Sequence, residues 1–254
     1  MKNPSFNFQS ENVVQLDRAV PRAQTGDSPC AACQVRHLAV CSALERDELN
    51  LLDEIVRFVD LEAGDALFDE GEPAANVYNL TSGSIKLYKL LPDGRRQVTG
   101  FLFAGDFLGL ADSDDYIYSA EAVAATSLCK FSRVDLDSLM EKTPELGRRL
   151  LRMARYELAE AQDQILLLGR KTAKERIASF ILMLSERAVR RGESGNPVSI
   201  PMSRNDIGDY LGLTTETVSR TLTRLRSSGA INMESDRKFT LVERETLQDI
   251  AEGF

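Results

Sequence analysis

The stretch PELGRRLLRMARYELAEAQDQILLLGRK, from Pro144 to Lys171, constrains this chain more than any other, because its spacing suits one long helix with a seam. Leu151, Leu158 and Ile165 recur every seven residues, and Ala154, Ala161 and Leu168 each follow by three, the a/d pattern of a two-stranded coiled coil. Polar residues fall between. Pro144 suits a helix start, where its missing N–H is one that the first turn leaves unpaired anyway, and Gly169 marks a weak point near the other end. These six seam residues predict a homodimer interface. The alternative is a core helix of a monomeric domain, since three heptads is the least that defines a coiled coil.

At 254 residues the chain has room for two domains of about 100–200 residues each. No apolar run approaches the ~20 residues of a membrane span, and the opening MKNPSFNFQSENVV lacks the apolar core of a secretory signal. A cytoplasmic protein without membrane contact is expected. Thiols stay reduced there, so the four cysteines point to metal ligands or reactive groups rather than a disulfide framework. The net charge of −8 argues against nucleic acid only until its distribution is examined. From Thr172 onward 12 basic residues balance 12 acidic ones, and Thr214 to Arg226 holds three arginines against one glutamate. An acidic chain thus carries one locally basic helix.

Residues 1–28 are polar and aperiodic, an expected mobile arm. Then comes CAACQVRHLAVC, which places Cys30, Cys33 and Cys41 as C-x2-C-x7-C around His37, the only histidine. From Ile55 to about Arg133 glycines and turn residues punctuate short β-forming segments, NVYNL, SIKLYKL, QVTGFLF, YIYSAEAVA and SLCKF, which predict an all-β sandwich or roll. Ile85, Leu87 and Leu90 around Pro92-Asp93-Gly94 read as one of its hairpins. Cys129 lies in the last of these strands.

Beyond the seam, TAKERIASFILMLSERAV is an amphipathic helix and VSIP a short strand. In MSRNDIGDYLGLTTETVSRTLTRLRSSGAI, Ser203 and Asp206 form a capping box for a helix ending at Leu211, and Gly212 permits a tight turn. Thr214 then caps a second helix to about Arg226. Val218, Leu222 and Leu225 make that helix's buried stripe, which leaves Glu216, Ser219, Arg220 and Thr223 exposed opposite. Two strands around a polar turn, AINMESDRKFTLV, complete a winged helix-turn-helix, and double-stranded DNA is the expected partner. Arg220 suits guanine O6 and N7, Glu216 a cytosine amine, and Ser219 a thymine methyl, while Arg204, Arg224 and Arg226 suit phosphates. The bland reading is that Glu216 and Arg220, at i and i+4, merely pair with each other.

Three readings of the cysteines stay open on spacing alone. Four thiolates suit an iron–sulfur cluster; Cys30, Cys33, His37 and Cys41 could close a zinc site by themselves; and Cys30/Cys33 could serve thiol exchange. A metal- or thiol-based enzyme is disfavoured, because no nucleophile–base pair or spare histidine is present.

Taken together, IGDYLGLTTETVSRTL, DQILLLGRKTAKERIASFI and the cysteines resemble the CRP/FNR superfamily of bacterial transcription regulators, and within it the oxygen-sensing FNR branch. The resemblance covers nearly the whole chain after about residue 28. It implies an α+β protein with four parts: the arm (1–28), a cysteine loop and β-roll like the cyclic-nucleotide-binding jelly roll (29–143), a dimerisation helix (144–171), and a winged helix-turn-helix (172–254). It further implies a 4Fe-4S cluster on Cys30, Cys33, Cys41 and Cys129, and recognition of an inverted repeat resembling TTGAT…ATCAA through Glu216, Ser219 and Arg220, with Thr215 and Thr223 beside them. Contact with RNA polymerase through roll loops follows from the same likeness. The cAMP-binding branch carries an arginine where this chain has Thr215, and its phosphate site needs a G-E and an Arg-Ser/Thr pair where this chain reads FLGLADS and YIYSAEA. No cyclic nucleotide is therefore expected. FNR-like chains often place an acidic residue at about Ala161, whose repulsion opposes dimerisation once the cluster is lost. Alanine there implies a dimer less dependent on the cluster, unless Glu157 or Asp163 supplies the charge.

Overall fold

A computed structural model describes residues 30–110 and 113–254; the arm expected over 1–28 lies outside them. A 3-10 turn (Val40–Ala43) and helix α1 (Arg46–Ile55) precede eight strands, β1 (Arg57–Leu61), β2 (Ala66–Phe68), β3 (Asn76–Ser82), β4 (Ser84–Leu90), β5 (Arg96–Phe103), β6 (Phe107–Leu108), β7 (Ser119–Ala122) and β8 (Thr126–Ser132). These form two antiparallel four-stranded sheets, ordered β1-β8-β3-β6 and β2-β7-β4-β5. Leu61, Leu80, Ile85 and Leu128 fill the space between them. The outer face of the first sheet carries Val77, Cys129 and Phe131 and is covered by the cysteine loop, α1 and two further helices, α2 (Arg133–Lys142) and α3 (Pro144–Arg170). Strand alternation explains the split. Leu128 points into the roll, so its neighbour Cys129 must point out of it.

Helix α3 is the predicted long helix, with Pro144 in its first turn and its end one residue past Gly169. Helix α4 (Ala173–Arg190) begins at a Thr172–Glu175 capping box. The remaining elements are β9 (Val198–Ser199), α5 (Arg204–Leu211), α6 (Thr215–Ser227), β10 (Ile231–Ser235), β11 (Lys238–Leu241) and α7 (Arg244–Glu252). Strands β9 to β11 make the wing sheet, ordered β10-β11-β9. Between α5 and α6 Gly212 adopts φ +63°, the left-handed region in which a Cβ is penalised. The core of this unit, with Ile177, Phe180, Ile207, Val218 and Leu222, is continuous with Val98, Phe101 and Phe103 of β5, so the C-terminal unit is docked on the roll. Among the described residues no helix is long and apolar enough to cross a membrane.

Candidate metal centre and nucleic-acid interface

All four cysteines line one cavity of about 300 Å³, although Cys129 lies far along the chain from the other three. The sheet supplies the floor. Phe58 and Asn79 are the cross-strand partners of Cys129 on β1 and β3, and directly opposed residues share a face. The loop supplies the roof, pinned at three points. Cys30 N–H donates to Asp53 Oδ1 on α1 at 3.4 Å, and Arg149 Nη2 on α3 donates to the Leu38 carbonyl. At Gly105, φ +95°, a Cβ would stand 2.6 Å from Leu38 Cβ, so the roll turn must be glycine for the loop to lie this close. Nothing local in the sequence marks Asp53 or Arg149, and Gly105 reads there only as a turn glycine, because each acts through a contact distant along the chain.

The geometry bears on the three cysteine readings. His37 is exposed and does not line the cavity, which leaves a Cys30–Cys33–His37–Cys41 zinc site without its histidine. Burial, helped by Asp53, pushes the Cys30 thiol far above its ordinary value. Burial likewise raises Cys41 to about 11 and Cys129 to about 12. Three buried thiols and the half-buried Cys33 around one void fit a group bound by four thiolates and larger than a single ion. Asn79, on the same wall, keeps a buried Oδ1 without a hydrogen-bond partner, an unsatisfied atom beside space that a cluster would fill.

At the other end of the molecule α6 presents its predicted face. Thr214 caps it by accepting from Thr217 N–H at 3.2 Å, and Val218, Leu222 and Leu225 are buried. Thr215, Glu216, Ser219, Arg220 and Thr223 are all exposed, as are Arg224 and Arg226. Glu216 and Arg220 do meet, at 3.6 Å, in a loose pair open to solvent. Arg204 departs from its expected phosphate role: it stacks over the Phe239 ring at 5.1 Å and approaches Asp236 at 3.7 Å, so it braces the wing against α5. Two side chains tie the helix-turn-helix to the end of α3. Gln164 Nε2 donates to the Tyr210 carbonyl at 2.8 Å, and Arg176 gives Nη1 to Leu211 O and Nη2 to Leu168 O, both at 2.8 Å.

Along α3, Leu146 and Leu150 are buried, whereas Leu151, Leu158 and Ile165 are 52, 60 and 72 % exposed. With Ala154 and Ala161 exposed and Leu168 half-buried, the predicted seam is an apolar stripe on the outside of one copy. Glu157, one residue before Leu158 and four before Ala161, flanks the stripe and also lines the edge of a cleft of about 430 Å³ against the roll and α4, with Glu160, Arg149 and Arg187.

A jelly roll joined by a long helix to a winged helix-turn-helix with an open reading face defines a DNA-binding transcription regulator, not an enzyme. Comparison with known proteins agrees. Residues 58–143 match the cyclic nucleotide-binding domain family and residues 175–250 the Crp-like helix-turn-helix domain family. The chain is 44 % identical over 202 residues to the nitrogen fixation regulation protein FixK of Bradyrhizobium diazoefficiens, covering 80 % of this chain and 85 % of that one. It is 36 % identical over 244 residues to the fumarate and nitrate reduction regulatory protein of Yersinia pestis, covering 94 and 97 %. The structure of FixK2 from Bradyrhizobium japonicum superposes with a TM-score of 0.73 at 38 % identity, over 77 % of this chain and 97 % of that one. The chain belongs to the CRP/FNR family of transcription regulators, and these relatives belong to its FNR branch.

Proposed function

We propose that this protein is an oxygen-responsive transcription activator of the cytoplasm that works as a homodimer. In this reading a 4Fe-4S cluster on Cys30, Cys33, Cys41 and Cys129 controls dimerisation and binding to an inverted repeat resembling TTGAT…ATCAA. The observation that carries the reading is the convergence of four thiols, three of them buried, on one cavity beside the base of α3. When bound there, the cluster supplies an oxygen-labile link between the loop and β8.

The chain's own residues do the rest. Arg149 holds the Leu38 carbonyl, so the position of the loop bears directly on α3. With the loop fixed, Leu146 and Leu150 seat α3 against α2 and the roll, and the seam from Leu151 to Leu168 closes on a second copy. Two α6 helices then reach successive major grooves about 34–36 Å apart, and joining two half-sites on one rigid body raises affinity without any new contact. Loss of the link leaves the loop with a long bond to Asp53 and the Arg149 contact, the seam loosens, and DNA affinity falls. Exposed roll loops contact RNA polymerase. Cyclic nucleotide is not a ligand in this account: Gly109 N–H meets the Tyr118 hydroxyl at 3.4 Å, tying together the two segments that would cradle a phosphate, and Phe68 and Tyr116 stack at 3.7 Å inside the roll.

The test is titration of the repeat with anaerobically purified protein, before and after air. Anaerobic binding that weakens at least about tenfold on exposure is expected; equal binding would overturn the oxygen response, and no binding to the repeat would overturn the recognition. Cys129→Ser abolishes the response if a cluster carries it. A Cys30/Cys33 thiol switch would survive that substitution.

A further inference from the structure

We propose that Lys86 and Arg96 are positioning residues for DNA recognition, two cations of the sensor roll that fix the orientation of the helix-turn-helix in the same chain. Lys86 sits in the middle of β4 between buried Ile85 and Leu87, a place where a strand ordinarily carries no charge. Its Nζ lies 2.7 Å from Glu121 on β7, its cross-strand partner, and 3.1 Å from Asp206 on α5. Arg96 opens β5 and grips the same helix twice, Nη2 to Asp206 at 2.7 Å and Nε to Asp209 at 2.9 Å. Gln97 adds a bond to the Asp209 carbonyl at 2.7 Å. The side chains of Lys86 and Asp206 are only 7 and 9 % exposed.

The chemistry of this contact points to orientation rather than adhesion. Adhesion is already supplied beside it, where Phe101 of β5 packs on Phe180 and Tyr210 with ring centroids 6.1 and 5.2 Å apart. Apolar contact is non-directional, so it would tolerate sliding of α5 across the sheet. Withdrawing charges from water costs several kcal/mol each and is recovered only at one geometry, so a buried ion network selects a register more than it adds stability. Asp206 also closes the capping box with Ser203, which means that the clamp holds α5 by its first turn. Helix α6 follows through the single left-handed Gly212, and its orientation is inherited from α5. The contact does not mask DNA recognition, because Glu216, Ser219, Arg220 and Thr223 stay exposed while the clamp is closed.

The consequence concerns spacing. If the seam fixes two rolls and each roll fixes its own helix-turn-helix, the separation of the two reading helices is built in. This rests on the reading above as a homodimer on an inverted repeat. The experiment measures affinity of the full-length protein, prepared without oxygen, for the repeat with its spacer unchanged or altered by one or two base pairs. Sedimentation of each variant reports the dimer in parallel. Wild type is expected to lose at least about tenfold on altered spacers. Lys86→Met/Arg96→Gln is expected to remain dimeric, to bind the natural spacing about tenfold more weakly, and to discriminate spacers by less than about threefold. Arg96→Lys, which keeps the charge but not the fork, falls between. A folded double variant that discriminates spacers as wild type does would overturn the proposal. Should the double variant fail to fold, Arg96→Gln alone is read in the same assay with the same two outcomes. Wild type that binds no spacing would overturn the dimer-on-repeat reading itself.

Discussion

Glu216 and Arg220 lie 3.6 Å apart on an open helix face, with side chains 84 and 55 % exposed. An ion pair so placed contributes roughly 0–1 kcal/mol, while a bidentate arginine–guanine contact discriminates by about 1–3 kcal/mol. DNA therefore outcompetes the internal pair, and Arg220 changes partner at little cost. Arg220→Ala is expected to lower affinity for the repeat about ten- to a hundredfold and to relax base preference at one position of each half-site. A titration against single-base variants of the repeat checks this, and uniform weakening across all of them would reassign Arg220 to a phosphate. Arg204 shows the limit of residue-type reasoning: an arginine at the head of a helix-turn-helix suits a phosphate, yet only the fold reveals the Phe239 ring that holds it.

At the scale of elements, what was legible in the sequence is what repeats or caps. The α3 helix, the hairpin of β4 and β5, and the α5–Gly212–α6 turn each have a periodic or capping signature, and each helix and turn formed where that signature lies. Short helices α1, α2 and α7 lack enough turns to declare a period, and the pinning of the cysteine loop depends on Asp53, Gly105 and Arg149, which local patterning cannot pair. Lys86 lies between Ile85 and Leu87 in the alternation of β4, and nothing in the sequence marks its partner Asp206 on α5. The seam predicts that Leu158→Glu, placing like charges across the interface, yields a monomer by sedimentation; a dimer would move the interface elsewhere. Alanine at Ala161 predicts that protein stripped of its cluster stays dimeric at micromolar concentration, and a monomer would refute this. Asp206 sets a pH dependence. Burial alone would raise its pKa, but the Ser203 hydroxyl and the Lys86 ammonium outweigh burial and hold it below the ordinary carboxylate value. A depressed folded-state pKa stabilises fully above the unfolded value and is lost as pH falls through the folded one. Asp206→Asn should thus be less stable than wild type by about 1–3 kcal/mol between pH 5 and 7, since Lys86 keeps Glu121 and Arg96 keeps Asp209, and denaturant melts should show the gap closing below about pH 4.

Across the whole molecule, one continuous set of contacts runs from the cysteines to the DNA-reading face. The cavity lies under a loop held by Arg149 of α3, the far end of α3 meets α5 through Gln164 and Arg176, and the roll grips α5 directly through Lys86 and Arg96. A change at the cavity can therefore reach α6 only by moving α3 or the roll as bodies, which suits a regulator that tightens or loosens a dimer rather than reshaping one local site. Everything in this account upstream of the seam depends on what the four thiols hold. The most direct measurement is iron and sulfide content with the visible absorption spectrum of protein purified without oxygen, recorded before and after air is admitted. About four irons and four sulfides per chain, with a broad visible band that changes within minutes of air, is the expected result. A colourless protein carrying one zinc, or no metal, would contradict the oxygen sensor and leave only the DNA-binding half standing.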